Sequence, residues 1–188
     1  MKKSSEVYDP MIGNTKAKLA ITGECSRKIQ PVNNNNIHEC VDVIKESFLT
    51  VADEFGFTIE NAPRFTAFAT TEQRLSWQLN NENRPMYAYV VDGSIVGYYS
   101  LALQGNKECE LNNLCVLPRF RHQGIGEKLL LHSFNAAKSL GCSKMNIGIV
   151  EENRILKKWY ESFGFNHIRT QKFDFFPFTC GYMELMLT

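Results

Sequence analysis

The hydrophobic positions of the chain repeat with two different periods, and these predict its helices and strands. Four segments show the spacing of three or four residues that is typical of amphipathic helices. The predicted helices cover residues 37–51, 64–79, 126–140 and 153–163. Gly141 and Gly164 are placed to end the last two helices.

Runs rich in aromatic and β-branched residues predict strands between these helices. The predicted strands cover residues 28–32, 86–91, 94–101, 108–117, 144–150, 165–170 and 182–187. Asp92-Gly93 joins the second strand to the third, and this dipeptide is a strong hairpin signal. The order of the elements predicts an α+β fold, in which helices flank a central, largely antiparallel mixed β-sheet.

The length and net charge of the chain indicate its domain organisation and limit the partners that it is expected to bind. Residues 28–188 are long enough for a single domain, and residues 1–27 are predicted to be an N-terminal extension. The net charge of +1, from 21 basic and 20 acidic residues, gives no broad field for nucleic acid or an anionic membrane, so neither partner is predicted. Since the chain has no apolar run of membrane-spanning length and no signal-like start, we predict a cytoplasmic protein.

The cysteines predict neither a metal site nor a disulfide framework. They show no CxxC pair and no histidine at metal-ligand spacing, so they are predicted to be reduced thiols. The six are Cys25, Cys40, Cys109, Cys115, Cys142 and Cys180.

The segment from Leu114 to Gly126 is the most informative for chemistry, because it reads as a strand, a turn and the start of a helix. The first amides of a helix lack intrahelical partners and carry partial positive charge, and Gly124 and Gly126 bring no side chain that would block an anion. A P-loop is excluded because Glu127-Lys128-Leu129 follows, without a metal-binding hydroxyl. Leu129 also occupies the place of the third glycine of a dinucleotide-binding fingerprint.

This segment resembles the central motif of the GNAT family of N-acetyltransferases, Arg/Gln-x-x-Gly-x-Gly/Ala after a strand that ends in Val-x-Pro. The matching residues are Val116-Leu117-Pro118 and Arg121-His122-Gln123-Gly124-Ile125-Gly126. A second family motif is similar to the segment from Glu152 to Phe165. In element order the resemblance covers residues 28–188, and it is sharpest over 110–165.

The resemblance implies acetyl-CoA as cosubstrate, with a different surface for each of its parts. Its pyrophosphate is expected on backbone amides of Arg121, His122, Gln123, Gly124, Ile125, Gly126 and Glu127. Leu114, Cys115 and Val116 are expected to hydrogen-bond the pantetheine amides as an added strand would. Asn153 is expected to contact the pantetheine arm and Tyr160 the thioester sulfur. From the residues alone, Asn153 also reads as a helix cap and Tyr160 as a core aromatic.

The resemblance also implies three catalytic groups. Glu110 is the expected general base, acting directly or through a water, although a solvated carboxylate at a strand end stays open as an alternative. Strand alternation predicts that Glu110, Asn112, Leu114 and Val116 share one face. The backbone N–H of Leu114 is expected to polarise the acetyl carbonyl, and Tyr160 to act as general acid. A bulge near residues 112–114 is expected to splay this strand from the next.

The acceptor is expected to be a primary amine of a small molecule or a peptide. Residues 48–65, which include Asp53, Glu54 and Glu60, and residues 173–182 are expected to determine it. The phenylalanine-rich loop in the second segment has three open readings: an acceptor pocket, a part of the core, or a contact in a homodimer. Two functions without transfer also stay open, namely an acetyl-CoA sensor and a structural interaction protein.

Overall fold

Seven strands form one mixed sheet in the computed structural model, which describes residues 26–187. They are β1 (Arg27–Pro31), β2 (Met86–Val91), β3 (Ser94–Gly105), β4 (Glu108–Val116), β5 (Lys144–Val150), β6 (Asn166–Lys172) and β7 (Thr179–Met186). Their order in the sheet is β1-β2-β3-β4-β5-β7-β6, and only the pair β4 and β5 is parallel. The predicted α+β fold with a largely antiparallel mixed sheet is confirmed. Of the predicted extension, residues 1–25 lie outside the described residues, and Arg27 already begins β1.

Five α-helices lie between the strands within residues 26–187. They are α1 (Ile37–Phe55), α2 (Thr66–Ala69), α3 (Glu72–Asn80), α4 (Ile125–Ser139) and α5 (Arg154–Ser162). None of these helices combines the length and apolar character that a membrane crossing needs.

The single helix predicted over residues 64–79 is wrong, because the chain forms α2 and α3 there. Thr70 ends α2 with extended backbone (φ −79°, ψ 125°), and its hydroxyl donates to the carbonyl of Thr66 at 2.7 Å. The side chain of Thr71 then accepts the backbone N–H of Arg74 at 3.1 Å and caps α3. Two threonines with local side-chain bonds therefore break the helical period.

The two faces of the sheet are covered by different helices. Cys40 and Ser47 of α1 lie close to Tyr98 and Cys115 on one face. On the other face, Tyr99 Oη lies 2.6 Å from His132 Nδ1 of α4. Neighbouring tyrosines of β3 therefore point to opposite layers, as strand alternation requires.

A second aromatic core joins the end of α1 to the connection between β6 and β7. The ring of Phe178 lies 4.8 Å from that of Phe57 and 5.9 Å from that of Phe65, and all three residues are buried. For Phe178 the structure therefore shows the core alternative. Phe175 of the same loop stays 45% exposed, with the Arg64 guanidinium 4.7 Å from its ring centre.

Tyr98 and Tyr99 give a matched test of two buried hydroxyls. The Tyr98 hydroxyl has no hydrogen-bond partner among the described residues, whereas the Tyr99 hydroxyl bonds His132. Tyr98→Phe is therefore expected to leave the free energy of unfolding unchanged or raise it, and Tyr99→Phe to lower it by about 1 kcal/mol. Urea denaturation of both variants checks this. An equal loss in both would mean that a bound water satisfies Tyr98.

Candidate active site

The parallel strands β4 and β5 part after three residue pairs. Glu108, Cys109 and Glu110 pair with Lys144, Met145 and Asn146, and the register records no further pair among the described residues. From residue 111 to residue 116, the β5-facing edge of β4 thus borders an opening. The expected splay of the two strands is confirmed, and it leaves backbone groups of β4 for a ligand that pairs like a strand.

A bulge in β4 lies beside this opening. Asn112 pairs with Ser100 and Cys115 with Tyr98, so two β4 residues oppose the single residue Tyr99. Asn113, the first of these two, has a positive φ of 54°. The bulge expected near residues 112–114 is therefore confirmed.

The bulge overturns the predicted facing of β4. Because one extra residue is inserted, Cys115 shares a face with Glu110 and Asn112. Val116 pairs with Gly97 and points to the opposite face, towards α4. The prediction that Leu114 and Val116 continue the face of Glu110 is thus wrong, since a regular two-residue period does not pass through a bulge.

The loop before α4 and the first turn of that helix offer a row of unused amides. Lys128 N–H donates to the Gly124 carbonyl at 3.1 Å and makes the first helical bond. Within residues 26–187, no hydrogen bond uses the backbone N–H groups of residues 122–127, and no side chain caps the helix. His122 and Gly124 have positive φ angles of 59° and 74°. Free amides and the positive end of a helix dipole suit an anion such as a pyrophosphate.

The space around Gly126 shows whether the protein itself excludes a side chain at this turn. A Cβ built on it would lie 3.8 Å from Trp159 Cζ2 and 3.9 Å from Val116 Cγ2, which are ordinary contacts. The protein itself therefore has room for a methyl group here, although glycine costs a helix about 1 kcal/mol relative to alanine. Glycine at this position keeps any side chain larger than a methyl group away from the free amides. The residues present fit the pyrophosphate of acetyl-CoA.

Arg121 holds the loop in place with its side chain. Its Nε donates to the Val116 carbonyl at 3.1 Å, and its Nη2 donates to the Ser47 carbonyl and the Thr50 hydroxyl, both at 2.9 Å. The guanidinium thus ties the loop to the end of β4 and to α1. Only the backbone of Arg121 was predicted to act, but its N–H donates to the Pro118 carbonyl at 3.2 Å. The role of its side chain was not predicted, because Ser47 and Thr50 are more than 70 residues away.

Asn153 precedes the first turn of α5, and Tyr160 lies within this helix. Asn153 caps the helix, since its Oδ1 accepts Leu156 N–H at 3.0 Å. No hydrogen bond within the described residues uses its Nδ2, which leaves a donor for a ligand. Tyr160 is 6% exposed, and its ring packs against Trp159 and Phe165. Both readings of Asn153 and Tyr160, as structural residues and as ligand contacts, are therefore compatible with the structure.

The Tyr160 hydroxyl stays protonated over the physiological pH range. Burial raises its pKa above the ordinary value of a tyrosine, and the nearby Cys115 adds to the effect. Within the described residues no hydrogen bond holds this hydroxyl, and its oxygen is not fully buried. A neutral donor thus lies beside the open part of β4.

Glu110 lies where β4 and β5 begin to part. Its Oε2 accepts from Gln104 Nε2 at 2.8 Å, and the residue is half-buried. Burial raises the pKa of its carboxyl, while Arg84 and the Gln104 hydrogen bond oppose this rise. A raised pKa suits a group that takes up a proton near neutral pH.

The segments expected to determine the acceptor meet in space. Residues 48–65 and 173–182 contact each other through the aromatic core of Phe57, Phe65 and Phe178. Asp53, Glu54 and Glu60 in the first of these segments are all exposed.

The chain is similar to a known family of acetyltransferases. A profile described as the acetyltransferase (GNAT) family matches residues 51–165. The [ribosomal protein bS18]-alanine N-acetyltransferase of Haemophilus ducreyi is 36% identical over 77 residues, 41% of this chain, and the chain spans about half of that relative's length (52%).

Solved structures share the fold. The PaiA N-acetyltransferase of Thermoplasma acidophilum, in complex with coenzyme A, matches with a TM-score of 0.73 at 18% identity, covering 86% of this chain and 99% of the other. The YncA protein of Salmonella typhimurium, with its cofactor acetyl-CoA, matches with a TM-score of 0.65 at 19% identity, covering 86% of this chain and 94% of the other.

Proposed function

The chain belongs to the acetyltransferase (GNAT) family, and we propose that it moves the acetyl group of acetyl-CoA to a primary amine of a small molecule or peptide. The amine attacks directly, in a complex that holds both substrates. One observation carries the proposal: the free amides around Gly124 and Gly126, the open edge of β4 and the buried Tyr160 border one opening.

Three parts of the chain hold acetyl-CoA in this proposal. The free amides of residues 122–127 bind the pyrophosphate, and Arg121, whose own N–H donates to the Pro118 carbonyl, fixes the loop that carries them. The backbone of Leu114, Cys115 and Val116 pairs with the pantetheine amides along the opening. Asn153 contributes its Nδ2, since its Oδ1 already caps α5.

The reaction needs a base, a carbonyl donor and a donor for the leaving sulfur. The amine nitrogen bonds to the thioester carbon, and Glu110 takes up the nitrogen's proton directly or through a water. The Leu114 N–H, in the bulge of β4, stabilises the oxyanion while the carbon–sulfur bond breaks. Tyr160 acts as general acid and gives its proton to the departing thiolate, so the products are an N-acetyl amide and coenzyme A. The proton taken up by Glu110 balances the proton that Tyr160 has given up.

Tyr160→Phe is expected to lower kcat about 10- to 30-fold and leave the Kd of acetyl-CoA within about twofold. The hydroxyl is needed as the thiolate forms, whereas the ring contacts with Trp159 and Phe165 persist in phenylalanine. Steady-state kinetics and calorimetric titration check the two quantities. Unchanged turnover would refute the assignment of Tyr160.

The function itself is tested by thiol release from acetyl-CoA with a panel of amines and peptides. The panel includes a peptide with N-terminal alanine, because a relative is named as an alanine N-acetyltransferase of a ribosomal protein. Mass spectrometry of the acetylated product identifies the acceptor. Binding of acetyl-CoA without transfer to any acceptor favours the sensor, and absence of binding overturns both cofactor-dependent functions.

The proposal includes a cytoplasmic location, where transfer would draw on a pool of acetyl-CoA, and neither nucleic acid nor a membrane as partner. The near-neutral net charge of +1 supports the last two points. A homodimer stays a prediction, which light scattering of the purified chain measures.

A further inference from the structure

We propose that Gln104 is a positioning residue for Glu110, and that Asn146 and Glu108 fix the orientation of its side-chain amide. The proposal rests on the proposed function, since it concerns the general base of that reaction. These side chains come from β3, β4 and β5, at the point where β4 and β5 begin to part.

A continuous chain of polar contacts leads to Glu110. Lys144 Nζ lies 2.9 Å from Glu108 Oε1, and Glu108 Oε2 accepts from Asn146 Nδ2 at 3.1 Å. The same Nδ2 donates to Gln104 Oε1 at 3.3 Å. Gln104 Nε2 then donates to Glu110 Oε2 at 2.8 Å.

The carboxylate of Glu108 determines the direction of this chain. An ionised carboxylate only accepts hydrogen bonds, so Asn146 must turn its NH₂ group towards Glu108. That NH₂ group also meets Gln104, whose carbonyl oxygen must therefore face Asn146. The NH₂ group of Gln104 is then left for Glu110, and the alternative orientation, with oxygen against oxygen, is disfavoured.

The hydrogen bond from Gln104 makes the two carboxylate oxygens of Glu110 inequivalent. Oε2 is held by Gln104, while no hydrogen bond within the described residues occupies Oε1, which can accept a proton. The donor also favours the ionised form that a base requires. Arg84, whose charge also lowers the pKa of Glu110, is paired with an acidic residue, since its Nη2 lies 2.6 Å from Glu82 Oε2. Lys144 Nζ is paired with Glu108 and Glu184.

Two variants test the positioning in the full-length chain. Gln104→Met removes the donor at similar length, and Asn146→Asp places a second acceptor against Gln104, which is expected to turn its NH₂ group away from Glu110. Both are expected to raise the pKa of Glu110, measured by ¹³C NMR of labelled glutamate side chains and assigned through Glu110→Gln. The acid limb of the kcat/KM profile is expected to move to higher pH in parallel. Gln171→Met, on β6 and bonded to Arg169 instead, is the control and should move neither.

The NMR titration needs no acceptor, so it separates this inference from the proposed function. An unchanged Glu110 pKa in Gln104→Met would overturn the positioning role, whatever the activity. If the Glu110 pKa rose in Gln104→Met but Glu110→Gln kept full activity, Glu110 would not be the base. The contact between Gln104 and Glu110 would then have no role in catalysis. A raised pKa with a shifted acid limb supports both.

Discussion

Replacing Gly126 with valine is expected to raise the Kd of acetyl-CoA on the order of 100-fold, while the chain still folds. The first carbon of the new side chain meets only ordinary contacts with Trp159 and Val116. Its two methyl groups are expected to extend from that carbon over the free amides where the pyrophosphate is proposed to bind. Amide hydrogen bonds to a charged group contribute about 1.5–3 kcal/mol each, so losing one or two gives an effect of this size.

Gly126→Ala is the matched control. Its single methyl group fits the available space, and alanine favours the helix by about 1 kcal/mol, so stability should rise while the affinity changes far less than in the valine variant. Calorimetric titration with acetyl-CoA and thermal denaturation measure the two effects. If the valine variant bound as tightly as the unaltered chain, the pyrophosphate would have to lie elsewhere.

Local signals in the sequence were sufficient for the amide cradle. Gly124 and Gly126 lie at the start of a helix whose apolar period is clear, and a helix start presents free amides wherever it occurs. The Asp92-Gly93 turn is equally local, and the structure shows both residues with positive φ. Features encoded within a few consecutive residues were therefore predictable.

The facing of β4 was not predictable in the same way. The family resemblance predicted a bulge near residues 112–114, but the two-residue period was carried through it, because only the pairing of β4 with β3 shows where the extra residue lies. As a result, the β4 side chains after Asn113 were predicted to point to the wrong face of the sheet. The guanidinium bonds of Arg121 to α1 were missed for a related reason, because they join positions far apart in the chain.

The bulge also separates the two halves of the proposed reaction. The amides around Gly126 and the side chain of Val116 lie on the α4 face, whereas Glu110 and Asn112 point to the opposite face. In the proposed function the cosubstrate and the amine thus approach from opposite faces, and they meet where β4 and β5 part. This arrangement explains why neither cluster alone outlines a complete site.

Glu110→Gln is expected to lower kcat/KM for the amine on the order of 100- to 1,000-fold near neutral pH, with the Kd of acetyl-CoA unchanged. Glutamine keeps the size of the side chain and can still meet Gln104, but it cannot take up a proton. In the unaltered chain the base is active only when ionised, so activity is expected to fall as the pH drops through the pKa of Glu110. Because burial raises this pKa, the fall should begin at a higher pH than for an exposed glutamate.

The same substitution is expected to increase the stability of the fold at neutral pH, although it lowers activity. A carboxyl whose pKa is raised by folding favours the folded state in its protonated form, and this contribution is lost as the pH rises through the folded pKa. Glu110→Gln is therefore expected to be slightly more stable than the unaltered chain at neutral pH, and this advantage should vanish in acid. Asp42→Asn, at an exposed carboxylate of α1 outside the segments expected to determine the acceptor, is the control and should change neither rate nor stability. Full activity of Glu110→Gln across the pH range would assign the base to another group or to water.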